Sequence, residues 1–158
     1  MFKLVLNASP IIVMGKLGYL DLLPSIADEI VIPRGVYNEV LAGNSCDPAR
    51  KWLLGSGGDF VKEVGVHESK VVKWDLGLGE TEVLSFAYRN RDFYAVVDDK
   101  MARRCAKALG IKVKGTLALL VIACKTGFIE DIEVILRRLR QEGFYMSKSL
   151  EEAIRRIV

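Results

Sequence analysis

Short apolar runs alternate along the chain with segments in which apolar residues recur every three to four positions. This alternation predicts β-strands for the runs at residues 2–6, 29–33, 60–64, 94–97 and 111–114. Phe2–Leu6 has no polar face, which is typical of a central strand that is covered on both sides. Because strands that alternate with helices favour right-handed crossovers, the sequence predicts a three-layer α/β/α fold with a central, mainly parallel sheet of about 4–5 strands.

The segments between the strands predict helices, some of which begin with recognisable capping residues. Ser9 and Pro10 are interpreted as the N-cap and the first residue of the first helix. The segment 116–125 is apolar nearly all round, which predicts a buried helix. Near the end of the chain, Ser149 and Glu152 predict a capping box at the start of the final helix.

No linker, repeat or low-complexity tract divides the sequence, so one domain is predicted over residues 1–158. Two amphipathic helices at about 130–141 and 148–157 predict a C-terminal helical extension, residues 126–158. The pattern leaves open whether this extension packs on the domain or serves a partner.

Composition narrows the class of protein without identifying its chemistry. Hydrophobic residues make up 51% of the chain and charged residues 27%, which is typical of a soluble globular protein. The longest apolar run, Leu117–Cys124, is too short to span a membrane, and no membrane partner is expected. A net charge of +3 permits binding to a polyanion. The three cysteines lack CxxC spacing, so neither a disulfide framework nor a zinc site is expected, and a reducing, cytoplasmic location is favoured.

Polar residues follow the predicted strands or lie on the helices that come after them. These positions are occupied by Asn7, Glu39, Glu80, Asp98 and Asp99. In open α/β sheets, sites form at the carboxyl ends of the strands, so these side chains are expected to converge. Converging carboxylates require raised pKa values or a divalent cation, and hard oxygen ligands suit Mg²⁺ or Mn²⁺. The alternative is that each residue is a helix cap or a solvated side chain.

Four stretches of the chain combine these positions with apolar neighbours in a fixed order. They are Leu4–Ile12, Ile32–Val40, Gly77–Glu82 and Val97–Arg104. Together they resemble the ordered motifs of PIN-domain proteins, specifically a prokaryotic branch allied to VapC-type toxin nucleases. The resemblance covers roughly residues 2–125. It implies a PIN-like, Rossmann-like fold and a ribonuclease that depends on Mg²⁺ or Mn²⁺, whose acids hold one or two metal ions around the scissile phosphate.

The resemblance implies a role for each polar position. The first to fourth acid positions are occupied, in order, by Asn7, Glu39, Glu80 and Asp99, with Asp98 as the alternative for the last because the local register is ambiguous. These five residues are the predicted metal ligands, and the four carboxylates among them are the predicted catalytic residues. Relatives normally have Asp at the first position, so Asn7 removes one anionic ligand and predicts weaker metal binding.

Residues near these acids are expected to contact RNA. Ser9 resembles the small polar residue that accompanies the first acid, and Thr116 is expected to contact metal-bound water or phosphate. Arg103 and Arg104 follow the last acids and are candidates to hold RNA phosphates, with a solvated basic helix face as the alternative. His67, the only histidine, is not expected to act as a general base, because a metal ion can activate water.

Two functions follow from these assignments. The first is a metal-dependent ribonuclease that serves as the toxin of a toxin–antitoxin pair. VapC-like relatives imply that such a protein forms a homodimer and is covered by a small antitoxin protein. The second is a catalytically impaired PIN-like module that binds RNA or a protein partner, because Asn7 replaces the first acid. A nucleotide-binding α/β domain without nuclease chemistry is a more distant third.

Overall fold

A computed structural model describes all residues of the chain, 1–158. Its strands are β1 (Phe2–Leu6), β2 (Ala27–Pro33), β3 (Val61–Lys62), β4 (Phe93–Val96) and β5 (Val113–Lys114). They form one sheet in the order β3-β2-β1-β4-β5, and every neighbouring pair is parallel. The predicted three-layer α/β/α fold around a parallel sheet is therefore confirmed.

Ten α-helices connect and cover these strands. They are α1 (Ala8–Leu17), α2 (Leu23–Ile26), α3 (Arg34–Ala42), α4 (Pro48–Leu54), α5 (Ser69–Val72), α6 (Leu78–Arg89), α7 (Lys100–Ala108), α8 (Thr116–Lys125), α9 (Ile132–Gln141) and α10 (Lys148–Ile157). Short 3₁₀ helices lie at Leu20–Leu22 and Ser56–Phe60. None of these helices combines the length and the apolar character that a membrane span requires.

β1 lies at the centre of the sheet because its side chains are buried on both faces. Successive side chains of a strand point to opposite faces, and Leu4, Val5 and Leu6 are each at most 1% exposed. On one face, Phe86 of α6 packs edge-on against Phe93 of β4, with ring centroids 4.9 Å apart. The core therefore extends from the sheet into the helical layers. β1 and β4 are paired in parallel, so their carboxyl ends lie side by side.

Residues 126–158 pack on the rest of the chain. Arg138 of α9 donates a hydrogen bond of 2.9 Å to the Leu17 carbonyl at the end of α1. Arg140 of α9 donates two hydrogen bonds, 2.7 and 2.6 Å long, to the Glu151 carboxylate of α10. The first contact joins α9 to α1 and the second joins α10 to α9, so both helices of the extension are part of the packed structure.

Two predicted helix caps are wrong. α1 has Asn7 rather than Ser9 at its N-cap position. α10 has Ser147 at its N-cap, where the hydroxyl accepts a backbone hydrogen bond of 3.1 Å, so Ser149 and Glu152 do not form the expected capping box. Each N-cap lies two residues before the predicted one, because extending a helix adds one backbone hydrogen bond for each residue that is ordered.

α8 is less buried than its apolar sequence predicts. Leu119 and Leu120 are fully buried. Leu117 and Val121 are only partly buried and line an open groove that α10 borders on its other side. The groove remains because α10 covers only part of the apolar surface of α8.

Candidate active site

Asn7 lies at the carboxyl edge of the sheet, where β1 ends. Its backbone N–H donates a hydrogen bond of 3.1 Å to the Val96 carbonyl at the end of β4. Its side chain is only 4% exposed, and the carbonyl oxygen, Oδ1, is buried without a hydrogen-bond partner. Because a buried acceptor without a partner costs about 1–3 kcal/mol, this oxygen is suited to bind a donor or a cation.

Two carboxylates share a cleft with Asn7. Glu39 extends from α3 and Glu80 from the first turn of α6, and both line a cleft of about 400 Å³ beside Asn7 and Ser9. Partial burial, followed by repulsion from Glu80, raises the pKa of the Glu39 carboxyl above its ordinary value. Glu80 is therefore close enough to disfavour the charge of Glu39.

Gly79 allows the oxygen atoms of the cleft to converge. A Cβ atom at this position would lie 3.0 Å from Asn7 Oδ1 and 3.4 Å from Glu39 Oε2, so both oxygens border the same point. A Cβ atom at Gly77 would lie 2.6 Å from Glu80 Oε2, so the Glu80 carboxylate folds back over the start of α6. The free N–H groups of a helix start favour a negative side chain there. Oxygen atoms of three side chains, each able to act as a metal ligand, thus lie around the N-terminus of α6.

This donor set fits a hard divalent cation. Asn7 offers an amide carbonyl, and Glu39 and Glu80 offer carboxylates, which are the oxygen ligands that Mg²⁺ and Mn²⁺ prefer. A cation at this place would give Asn7 Oδ1 the partner that it lacks and would relieve the repulsion between the two carboxylates. No three His, Cys, Asp or Glu side chains are grouped closely enough to hold a metal ion. The cleft has only two such side chains, Glu39 and Glu80, and its third possible ligand is the neutral amide of Asn7.

Asp98 and Asp99 follow β4 but do not line the cleft. Asp98 is bound by Thr116, whose backbone N–H and hydroxyl donate hydrogen bonds of 2.8 and 2.6 Å to its two carboxylate oxygens. Asp99 is the N-cap of α7 and accepts a hydrogen bond of 3.0 Å from the Ala102 N–H. The structure therefore brings three of the five predicted ligands into one cleft, while both aspartates bind protein donors at the neighbouring strand end.

The other predicted contact residues differ in their accessibility. Ser9 is exposed on the wall of the cleft. Thr116 is fully buried, so in this structure its hydroxyl orients Asp98 instead of facing solvent. His67 is exposed on the connection that precedes α5 and does not line the cleft.

Arginines extend the candidate site along α7. Arg103 donates a hydrogen bond of 3.2 Å to the Val97 carbonyl, and this places its guanidinium close to the Asp98 carboxylate. Arg103 and Arg104 line a surface pocket together with Lys107. None of these three cations lies within 4.0 Å of a carboxylate oxygen, so their charges are available to a phosphate.

One buried polar residue on α6, Glu82, was not among the residues singled out from the sequence. Its side chain is only 9% exposed, and its carboxylate accepts a hydrogen bond of 3.3 Å from the Gly35 N–H at the start of α3. Glu82 is three residues after Gly79 and four before Phe86, so it lies on the same face of α6 as these two packed residues. A carboxylate on an inward helix face was the feature that could have identified it.

Comparison with known proteins adds one finding to this geometry. A family model described as a PIN domain matches residues 3–158. The match extends over the strand ends, the cleft and the C-terminal helices. Among curated proteins, no match is found.

Proposed function

Because the chain belongs to the PIN-domain family, which has a nuclease-like fold and generally uses divalent metal ions, we propose that it is a metal-dependent ribonuclease. It hydrolyses phosphodiester bonds of RNA at the cleft of Asn7, Glu39 and Glu80. The observation that carries the proposal is the buried, unpartnered Asn7 Oδ1 beside two carboxylates that repel each other. Such a set of oxygens gains most from a divalent cation.

In this proposal Asn7, Glu39 and Glu80 bind Mg²⁺ or Mn²⁺, and Asp99, or alternatively Asp98, is the fourth acid. When bound, the ion supplies Lewis-acid activation of water and neutralises negative charge that develops on the phosphate. Partial burial and repulsion from Glu80 raise the pKa of the Glu39 carboxyl, and a bound cation would favour its charged form.

Residues around the cleft bind and orient the RNA. Ser9 contacts the scissile phosphate from the wall of the cleft. Arg103 and Arg104 bind phosphates of the flanking strand, since neither guanidinium lies within 4.0 Å of a carboxylate oxygen of the protein. Thr116 acts indirectly, by fixing both oxygens of Asp98.

Asn7 also favours a second function, that of a catalytically impaired module that binds RNA or a protein partner. An amide carbonyl keeps the shape of a carboxylate but lacks its charge, so the cleft holds two anionic donors. Fewer anionic ligands weaken the binding of a divalent ion and the activation of water. In this case Asn7→Asp would restore cleavage.

The biological setting is proposed from the resemblance of four motifs to VapC-type toxins. The protein is then the toxin of a toxin–antitoxin pair, acts in the cytoplasm as a homodimer and is covered by a small antitoxin protein. The three unpaired cysteines support a reducing compartment.

Cleavage of a mixed pool of structured and single-stranded RNA in Mn²⁺ tests the proposal. The unaltered protein is compared with Glu80→Gln, Asn7→Asp and the control Glu63→Gln, which alters an exposed glutamate of the edge segment after β3. A ribonuclease cleaves with Asn7 in place, is stopped by EDTA and by Glu80→Gln, and is unaffected by Glu63→Gln. Cleavage by Asn7→Asp alone would favour the impaired module. Cleavage that survives EDTA or Glu80→Gln would contradict the proposal.

A further inference from the structure

Glu82 is a buried carboxylate for which the proposed reaction has no use. It extends from α6, is 9% exposed, and its Oε2 accepts a hydrogen bond of 3.3 Å from the Gly35 N–H. Gly35 is the second residue of α3, where backbone N–H groups have no partner within the helix. A carboxylate is also favoured there by the helix dipole. Glu82 of α6 therefore accepts a hydrogen bond from a backbone N–H at the start of α3 that has no partner within its own helix.

The contact between Glu82 and Gly35 leaves no room for a larger residue at position 35. A Cβ atom on Gly35 would overlap Glu82 Oε1 and would lie 2.9 Å from the Glu82 Cδ atom. Since Glu82 is buried, an alanine at position 35 would displace its carboxylate. Glycine at position 35 and glutamate at position 82 thus form a matched pair that sets how closely α3 approaches α6.

The same pair of helices carries the two carboxylates of the cleft. Gly35 and Glu39 are four residues apart on α3, so they lie on one face, one turn from each other. On α6, Gly79 lies on the same face as Glu82, and a Cβ atom on Gly79 would lie 3.4 Å from Glu39 Oε2. Glu80 is the next residue of α6 and moves with it. A shift of α3 against α6 would therefore change the geometry of Glu39 relative to Glu80.

We propose that Glu82 is a positioning residue that fixes α3 against α6 and so sets the separation of the Glu39 and Glu80 carboxylates. The proposal rests on the proposed function, because these two carboxylates are the ligands assigned there. Glu82 itself does not line the cleft. Its loss acts through the position of Glu39, and groups that orient metal ligands typically contribute about 10–100-fold to metal affinity.

Calorimetric titration with Mn²⁺ tests this role in four variants. Glu82→Ala removes the acceptor and Gly35→Ala displaces it, so each is expected to weaken Mn²⁺ binding by about tenfold or more. The double variant is expected to bind about as weakly as either single variant, because both changes break one contact. Glu82→Gln retains a carbonyl acceptor of the same length and is expected to bind within about threefold of the unaltered protein.

A loss of stability alone must be separated from a loss of positioning. Leu139→Ala provides the control. Leu139 is fully buried on α9, so the change opens a cavity in a helix other than α3 and α6. It is expected to lower the melting temperature while leaving the Mn²⁺ affinity unchanged. The proposal would be overturned if Glu82→Ala bound Mn²⁺ as tightly as the unaltered protein. It would also be overturned if Leu139→Ala lost as much affinity as Glu82→Ala, or if Glu82→Gln bound as weakly as Glu82→Ala.

The titration also distinguishes this proposal from the proposed function. Failure of the unaltered protein to bind Mn²⁺ would contradict the metal site and, with it, the positioning role. Binding by the unaltered protein that is insensitive to Glu82 would contradict the positioning role alone.

Discussion

Replacing Asn7 by aspartate adds a third negative charge to the cleft at a buried position. Asn7 Oδ1 has no hydrogen-bond partner, so no hydrogen bond is in place to stabilise the new carboxylate. The Glu39 carboxylate borders the same point beside Gly79, and its pKa is already raised by burial and by repulsion from Glu80. In the absence of metal, Asn7→Asp is therefore expected to destabilise the protein at neutral pH.

The structure bounds the size of this effect. Asn7 Oδ1 and Glu39 Oε2 lie 3.0 and 3.4 Å from one point beside Gly79, so the two oxygens are no more than about 6.4 Å apart. Two unit charges at roughly 6 Å repel by about 3 kcal/mol at an effective dielectric constant near 20, and by about half as much with stronger solvent screening. Because Glu39 is partly exposed, about 1–3 kcal/mol is expected. For a chain of this size, that lowers the melting temperature by roughly 3–10 °C.

Thermal unfolding in EDTA and in Mn²⁺ at neutral pH measures the effect. In Mn²⁺, Asn7→Asp should melt above the unaltered protein, because its additional carboxylate binds the ion more tightly. An ion at a hundredfold excess over its Kd stabilises the protein by about 2.7 kcal/mol. Asn44→Asp is the matched control, since this exposed side chain can still accept the Cys46 N–H after the change. The reasoning would be refuted if Asn7→Asp melted no lower than the unaltered protein in EDTA, or if Mn²⁺ raised both melting temperatures equally.

Three further predictions concern the surrounding residues. Partial burial and repulsion from Glu80 raise the folded-state pKa of Glu39, so the contribution of Glu39 to metal-free stability falls as pH rises through that pKa. Glu39→Gln should remove this contribution, so the variant should gain stability relative to the unaltered protein as pH rises; denaturant titrations of both proteins from pH 4 to 8 would contradict this if the two showed the same pH dependence. Asp99→Asn keeps the α7 cap, so if Asp99 is the fourth acid, cleavage should fall by about tenfold or more at an unchanged melting temperature. Arg104→Gln should reduce the slope of log affinity against log salt for single-stranded RNA by about 0.7, whereas Arg137→Gln, on exposed α9 surface, should leave it unchanged.

The sheet and most helices could be predicted because local patterns determine them. The apolar run Phe2–Leu6 is buried on both faces, and Gly77–Glu80 begins α6 as expected. The parallel arrangement of the strands follows from their alternation with helices, which the sequence pattern also indicates. The sequence therefore placed the carboxyl ends of the strands, and with them Asn7, at one edge.

The details that the sequence did not give depend on contacts between distant segments. Asp98 and Asp99 both follow β4, so the sequence pattern does not tell their roles apart. The structure distinguishes them, because Thr116 donates two hydrogen bonds to Asp98. Glu82 could not be singled out because its partner, Gly35, lies 47 positions away in the chain. Such pairings leave no local periodicity, so they become visible only when α3 and α6 are packed together.

Asn7, Glu39 and Glu80 are proposed to bind a divalent cation together. Anomalous diffraction from crystals of the protein grown or soaked in Mn²⁺ tests this binding. We expect an anomalous peak in the cleft, within about 2.0–2.6 Å of Asn7 Oδ1 and of an oxygen of each glutamate. A well-occupied peak elsewhere with none in the cleft, or a cleft that stays empty at Mn²⁺ concentrations that support RNA cleavage, would contradict it.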